Sequence, residues 1–163
     1  MPIQKPGRSE QVVLTPTNFV TAMLNKFPHL LEGGFVRDLA ADEFNTLSKD
    51  YFSESSDALI HPWNDIHGVQ WCNPPFGQLP DWTAKAAAEA RKGAEVFMLV
   101  PASVGSNWWR DNVDNKANIR FLNGRLTFKG HTAPYPKDLA LLFYARYFLE
   151  GSYYSVWDWR KNL

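Results

Sequence analysis

Ala94–Val100, AEVFMLV, reads as a buried strand closed by Pro101, and a run so apolar demands cover on both of its faces. The residues before it supply part of that cover. Trp82, Ala86, Ala87 and Ala90 recur at helical spacing from about Pro80, and Gly93 stands where a helix would stop. Before that helix, GVQWC, Gly68–Cys72, reads as another strand. Thr15-Pro16 suggests a helix start, with Thr15 as cap, and Phe19, Val20, Met23, Leu24 and Phe27 carry the helix from about Pro16 to Phe27. Gly33-Gly34 then punctuates, and Phe35–Ala41, FVRDLAA, reads as a short strand ending at Asp38 or just beyond. Residues 42–65 are mostly polar, with a weak helical signal near Glu43–Lys49, so little regular structure is expected there.

Beyond Pro101, Ile119–Phe128, IRFLNGRLTF, predicts a hairpin about a type I′ turn at Asn123-Gly124. Asp138–Phe148 predicts a last core strand, and the aromatic tail SYYSVWDWRKNL is expected to pack back on the body. Strands alternating with helices define an α/β protein. In such sheets ligands lie beyond the carboxyl ends of central strands, and Asp38 and Asn73 each fall at such an end. They are expected to face one crevice.

At 163 residues the chain suits one core: residues 1–10, MPIQKPGRSE, as a loose arm and residues 11–163 as one domain. Seventeen basic and seventeen acidic residues balance, so nucleic-acid binding would need a local patch. Aromatics make up 15% of the chain, seven of them tryptophans, which suits stacking surfaces as well as a core. Cys72 stands alone, no signal-like start is evident and no apolar run approaches the ~18 residues of a membrane span, so a reducing cytoplasm is expected. His29, His61, His67 and His131 lack ligand spacing, and no metal site is expected.

The chemistry concentrates in WCNPPFG. Proline fixes its own φ and pushes the preceding residue towards extended conformations, so Pro74 is constrained from both sides. Its carbonyl and the Asn73 carboxamide oxygen would then be two acceptors fixed at one point, which suits an –NH2 group. Phe76 adds an apolar face for a planar ring. A purine amine is a poor nucleophile because its lone pair is delocalised, and holding both N–H bonds would localise that pair by positioning and electrostatics. The plainer alternative is a strand-ending turn, the usual meaning of Asn-Pro.

NPPF resembles the (D/N/S)PP(Y/F/W) signature of amino-methyltransferases that use S-adenosylmethionine. From roughly Thr15 to Phe143 the chain is similar, more narrowly, to the small phage-type DNA adenine-N6 methyltransferases. The similarity runs through LTP, FVRDLAADEFNTLSKDYFSESSDAL, WCNPPFG, KAAAEARKGAEVFMLVPAS, WW and IRFLNGRLTFKG followed by AP. LAADEFN lacks the Gly-rich turn common in the wider superfamily, as it does in the phage-type family. The resemblance implies a Rossmann-like methyltransferase fold with a mostly parallel sheet and a C-terminal hairpin or antiparallel strand. It implies S-adenosylmethionine as cofactor, double-stranded DNA as partner and a bacterial host cytoplasm as location.

Carried over by position, Asn73, Pro74, Pro75 and Phe76 would hold a flipped adenine. Asp38 would meet the methionine part of the cofactor, Ala40 would belong to the same cofactor site, and Thr15 and Pro16 would close its pocket. Asp57 would accept from the ribose hydroxyls, and Asn45 matches the family pattern without a derivable role. Thr15 as a plain cap and Asp57 as a surface turn residue remain open. For DNA, Trp108, Trp109 and Arg110 would brace the gap left by the base. Arg120, Arg125 and Lys129 belong to a modest basic bias between Asn107 and His131, and a solvated hairpin face with buried tryptophans would equally explain this region. The same motif chemistry would serve an RNA adenine or a protein glutamine, and a non-catalytic nucleic-acid-binding module is the remaining alternative. With little room for a separate target-recognition domain, a short or loose recognition sequence read by residues 102–137 is expected.

Overall fold

The computed structural model describes residues 14–149 and 151–163. The arm expected over residues 1–10 lies outside them. Among the described residues the helices and strands follow as α1 (Thr17–Lys26), β1 (Val69–Cys72), α2 (Leu79–Arg91), β2 (Glu95–Pro101), α3 (Asn107–Asn112), β3 (Asn118–Asn123), β4 (Leu139–Tyr144) and β5 (Tyr154–Asp158). Short 3₁₀ turns occupy Ala58–Ile60, Phe76–Gln78 and Trp159–Asn162. The five strands form one mixed sheet in the order β1-β2-β4-β3-β5. β1 and β2 are parallel, β4 is antiparallel to both β2 and β3, and β5 is parallel to β3. Only β4 therefore runs against the other four strands.

Two further segments prolong the sheet beyond β1 through parallel bridges from Asp38 to Trp71 and to Tyr51. Residues 36–39 lie along β1 through Val36 N–H to Val69 O (3.0 Å), Trp71 N–H to Arg37 O (2.9 Å) and Leu39 N–H to Trp71 O (2.8 Å). Residues 50–52 lie along 36–39 through Asp38 N–H to Asp50 O (3.0 Å) and Phe52 N–H to Asp38 O (2.9 Å). Gly68 permits the close approach before β1: its φ is +108°, and a Cβ there would stand 2.5 Å from Val36 Cγ1.

β2 is buried on both faces, as its sequence demands. Val96, Met98 and Val100 join α2 and α3 in one cluster, while Phe97 and Leu99 join α1 and the chain end in the other. The aromatic tail packs back through β5 and the turn after it, with Phe19 5.7 Å from Trp159 and 5.9 Å from Trp157. Rings in edge-on or tilted contact at these distances add to what their buried area contributes.

Two local expectations are corrected. Residues 125–128 do not pair back on β3. A type I′ turn needs positive φ at both central residues, and only Gly124 (φ +106°) has it. β4 and β5 already occupy the two edges of β3, and the Gly124 carbonyl accepts from Trp159 Nε1 at 2.7 Å. The chain instead makes a long connection, residues 124–138. At α1 the cap is Pro16 rather than Thr15, with the Pro16 carbonyl accepting from Phe19 and Val20. The Thr15 hydroxyl is engaged elsewhere.

Candidate active site

Because residues 36–39 and β1 are parallel neighbours, Asp38 and Asn73 emerge at the same end of the sheet. A cavity of about 810 Å³ opens there. It gathers Thr15, Asp38, Ala40, Asn45, Asp57, Asn73 and Pro75 from four separate stretches of sequence. Pro16, Pro74 and Phe76 stand outside its lining; Pro16 and Pro74 are buried.

Asp38 is 3% exposed, and both of its oxygens are held by backbone: Oδ1 accepts from Ala40 N–H (3.2 Å) and Oδ2 from Leu47 N–H (2.9 Å). Burial outweighs those two hydrogen bonds and pushes the carboxyl up from 3.8 to about 6, with Asp42 adding to the rise. Asp57 adopts φ +54°, rare outside glycine, and its Oδ1 accepts from Leu59 N–H at 3.1 Å, capping the 3₁₀ turn that begins at Ala58. It is thus a turn residue that also lines the cavity.

Asn73 Nδ2 donates to Thr15 Oγ1 at 3.2 Å across 58 residues of sequence. A carboxamide whose nitrogen is committed in this way keeps its oxygen as the acceptor group. Beyond the motif, Phe76 meets Tyr135 at 5.6 Å and Phe128 at 6.4 Å, edge to face in both cases.

The sequence reading missed the opposite wall. Gln78, Asp81 and Trp82, at the start of α2, line the cavity, as do Ser53, Glu54 and Ser55. Their signal was available, since a helix beginning three residues after Phe76 must set its first turn beside the motif. The wall of residues 50–62 is braced from behind by buried Arg37. Its NH2 bonds Asp65 Oδ1 at 2.8 Å, its NH1 donates to Pro62 O at 3.4 Å and its Nε lies 3.5 Å from Asp50. The guanidinium lies 5.1 Å from the Phe52 ring centre, and His61 stacks on that ring at 5.0 Å.

The cavity is acidic. Asp38, Asp42, Glu54, Asp57 and Asp81 line it, and among its described lining residues there is no Lys, Arg or His. Such a wall disfavours phosphate and suits a ligand with positive charge and hydroxyl groups. Its volume lies within the ~300–1,000 Å³ of small-molecule sites.

Residues expected to touch DNA fall in different places. Trp109 (6% exposed) is an interior residue stacked on Phe121, and Trp108 is half-buried against it. Arg120 (6% exposed) is also interior, because β3 is flanked on both sides, and its NH1 donates to the carbonyls of Ile119 and Ser152. Trp109 and Arg120 therefore leave the surface set. Arg110 is exposed but paired with Asp111 through Nε to Oδ1 (2.7 Å) and NH2 to Oδ2 (3.1 Å). Arg125, 3.7 Å from Asp138, and Lys129 are exposed on the 124–138 connection.

Sheet, cavity and motif together define an α/β protein with a cavity of small-molecule size beyond the carboxyl ends of parallel strands, beside an Asn-Pro-Pro turn. A family model described as DNA N-6-adenine-methyltransferase (Dam) matches residues 6–140, and the chain belongs to that family. It is also similar to the DNA N-6-adenine-methyltransferase of Escherichia phage T1, with 27% identity over 95 residues. That stretch covers 58% of this chain and 40% of the phage T1 protein's length.

Proposed function

We propose that this protein transfers a methyl group from S-adenosylmethionine to N6 of adenine in DNA, within a Rossmann-like methyltransferase fold. The observation that carries the reading is the hydrogen bond from Asn73 to Thr15 at the rim of an acid-lined cavity. It turns the NPPF carboxamide into an oriented acceptor beside a site suited to a cation. When bound, S-adenosylmethionine supplies a methyl group on a positively charged sulfur. Asp38 and its acidic neighbours suit the cofactor's positive charges, and Asp57 and Glu54 offer acceptors to its ribose.

The Asn73 oxygen and the Pro74 carbonyl would hold the two N–H bonds of the extruded adenine and localise the nitrogen's lone pair. Pro74 and Pro75 fix the direction of those acceptors, and Phe76 would lie against the base. No strong general base is required, because a methylated ammonium gives up its proton readily to water. Exposed Arg125 and Lys129, on the connection that packs on Phe76, are candidates for phosphate contacts.

The test is the Asn73→Ala variant. It should bind cofactor as the wild type does and lose about 10²–10³-fold in methyl transfer to DNA, the scale of losing one oriented polar group. Unchanged transfer would remove Asn73 from the chemistry, and a wild type that binds cofactor without transferring its methyl group would leave a binding module as the better reading. Parallel arms with RNA or a glutamine-containing protein as acceptor separate the remaining substrates.

A further inference from the structure

We infer that Tyr135, together with Phe128, positions the Phe76 ring and so couples DNA engagement to the holding of the base. The inference rests on the proposed function. Phe76, Phe128 and Tyr135 form a closed triangle of edge-to-face rings: 5.6 Å and 70° for Phe76 with Tyr135, 6.4 Å and 71° for Phe76 with Phe128, and 5.7 Å and 79° for the last pair. Edge-to-face contacts at these spacings favour particular ring orientations as well as packing. Phe76 is half-buried, so two neighbours fix its tilt while part of its surface stays accessible.

Both neighbours come from the 124–138 connection, about fifty residues or more beyond the motif. That connection is pinned internally by Tyr135 N–H to Leu126 O (2.8 Å) and His131 N–H to Phe128 O (3.0 Å). It is also tied to the segment before α1 by Lys129 N–H to Leu14 O (3.1 Å). The next residue, Thr15, accepts from Asn73. One connection thus steadies both halves of the motif, the ring directly and the carboxamide through Leu14 and Thr15. The same connection exposes Arg125, Lys129 and Lys137. Phosphates that meet those cations would press on the element that sets the Phe76 ring, so a correctly seated duplex would also align the base platform.

The experiment compares Tyr135→Phe, Tyr135→Leu and Tyr135→Ala with the wild type, under single turnover with saturating labelled cofactor and DNA. Cofactor affinity and thermal unfolding are measured on the same samples. Once wild-type methylation sites are mapped, 2-aminopurine at the target position reports base extrusion. Tyr135→Phe should keep the rate and the 2-aminopurine signal within about twofold. Tyr135→Ala should lose at least tenfold in both, with cofactor affinity within about twofold. Tyr135→Leu, which refills the volume without a ring edge, should recover stability but not rate. A wild-type rate in Tyr135→Leu, or loss of cofactor binding in step with rate, would overturn the inference and reduce the triangle to core packing. A wild type without methyl transfer would instead remove the reading on which it rests.

Discussion

Asp38 shows how one residue's environment sets a measurable property of the site. Its carboxyl is buried and raised to about 6, so in the free protein it is mostly neutral below that pH and mostly charged above it. Raised in the fold, this group favours the folded state below about 3.8 and loses that contribution as pH climbs towards 6. Binding runs the other way, since the ionised form meets a cationic ligand. Cofactor affinity measured by titration calorimetry should therefore weaken about tenfold between pH 7.5 and 5, and Asp38→Asn should bind weakly with little pH dependence across that range. A flat wild-type profile would remove Asp38 from contact with the cofactor. An acid at a predicted strand end was legible in the sequence because its type and place coincide. The partnership of Thr15 with Asn73 was not, since no local pattern links residues 58 apart. For Trp109 and Arg120 the sequence left surface and interior both open, because residue type gives a side chain's chemistry and not the direction in which it points, and both are buried.

At the scale of elements, strands flanked by strong punctuation were readable and those set by pairing were not. β1, α2 and β2 fall within a residue or two of their expected limits, bounded by Gly68, the prolines, Gly93 and Pro101. The hairpin failed because Asn123-Gly124 signals a turn but not which strand follows it into the sheet. β5 escaped notice as a strand because exposed Tyr154 and Val156 alternate with residues that face inward in a tail read only as aromatic. The contact between residues 36–39 and β1 is tested at Gly68. Its φ is positive, and an alanine methyl there would meet Val36 Cγ1 at 2.5 Å. Gly68→Ala should therefore cost about 1–3 kcal/mol in urea unfolding and weaken cofactor binding, because Asp38 sits on the displaced segment. An alanine variant as stable as the wild type would mean that the segment tolerates displacement.

Over the whole molecule, a net charge of zero conceals a division of labour. Five acids line the cavity without a described Lys, Arg or His, and Arg125, Lys129 and Lys137 are exposed on the 124–138 connection that packs on Phe76. That arrangement suits the proposed cationic cofactor inside and the proposed polyanion outside, and a balanced total charge does not disclose it. No described helix is long and apolar enough to cross a membrane. The α/β class and the meeting of Asp38 with Asn73 followed from sequence because parallel strands place their carboxyl ends together. The acidic character of the cavity did not, since its five acids are scattered from Asp38 to Asp81 among polar loop residues. The most direct measurement is nucleoside analysis of DNA incubated with the purified protein and methyl-labelled S-adenosylmethionine. Label on N6-methyladenine, absent with Asn73→Ala, is the expected result; label on cytosine N4, or none while the cofactor still binds, would contradict it.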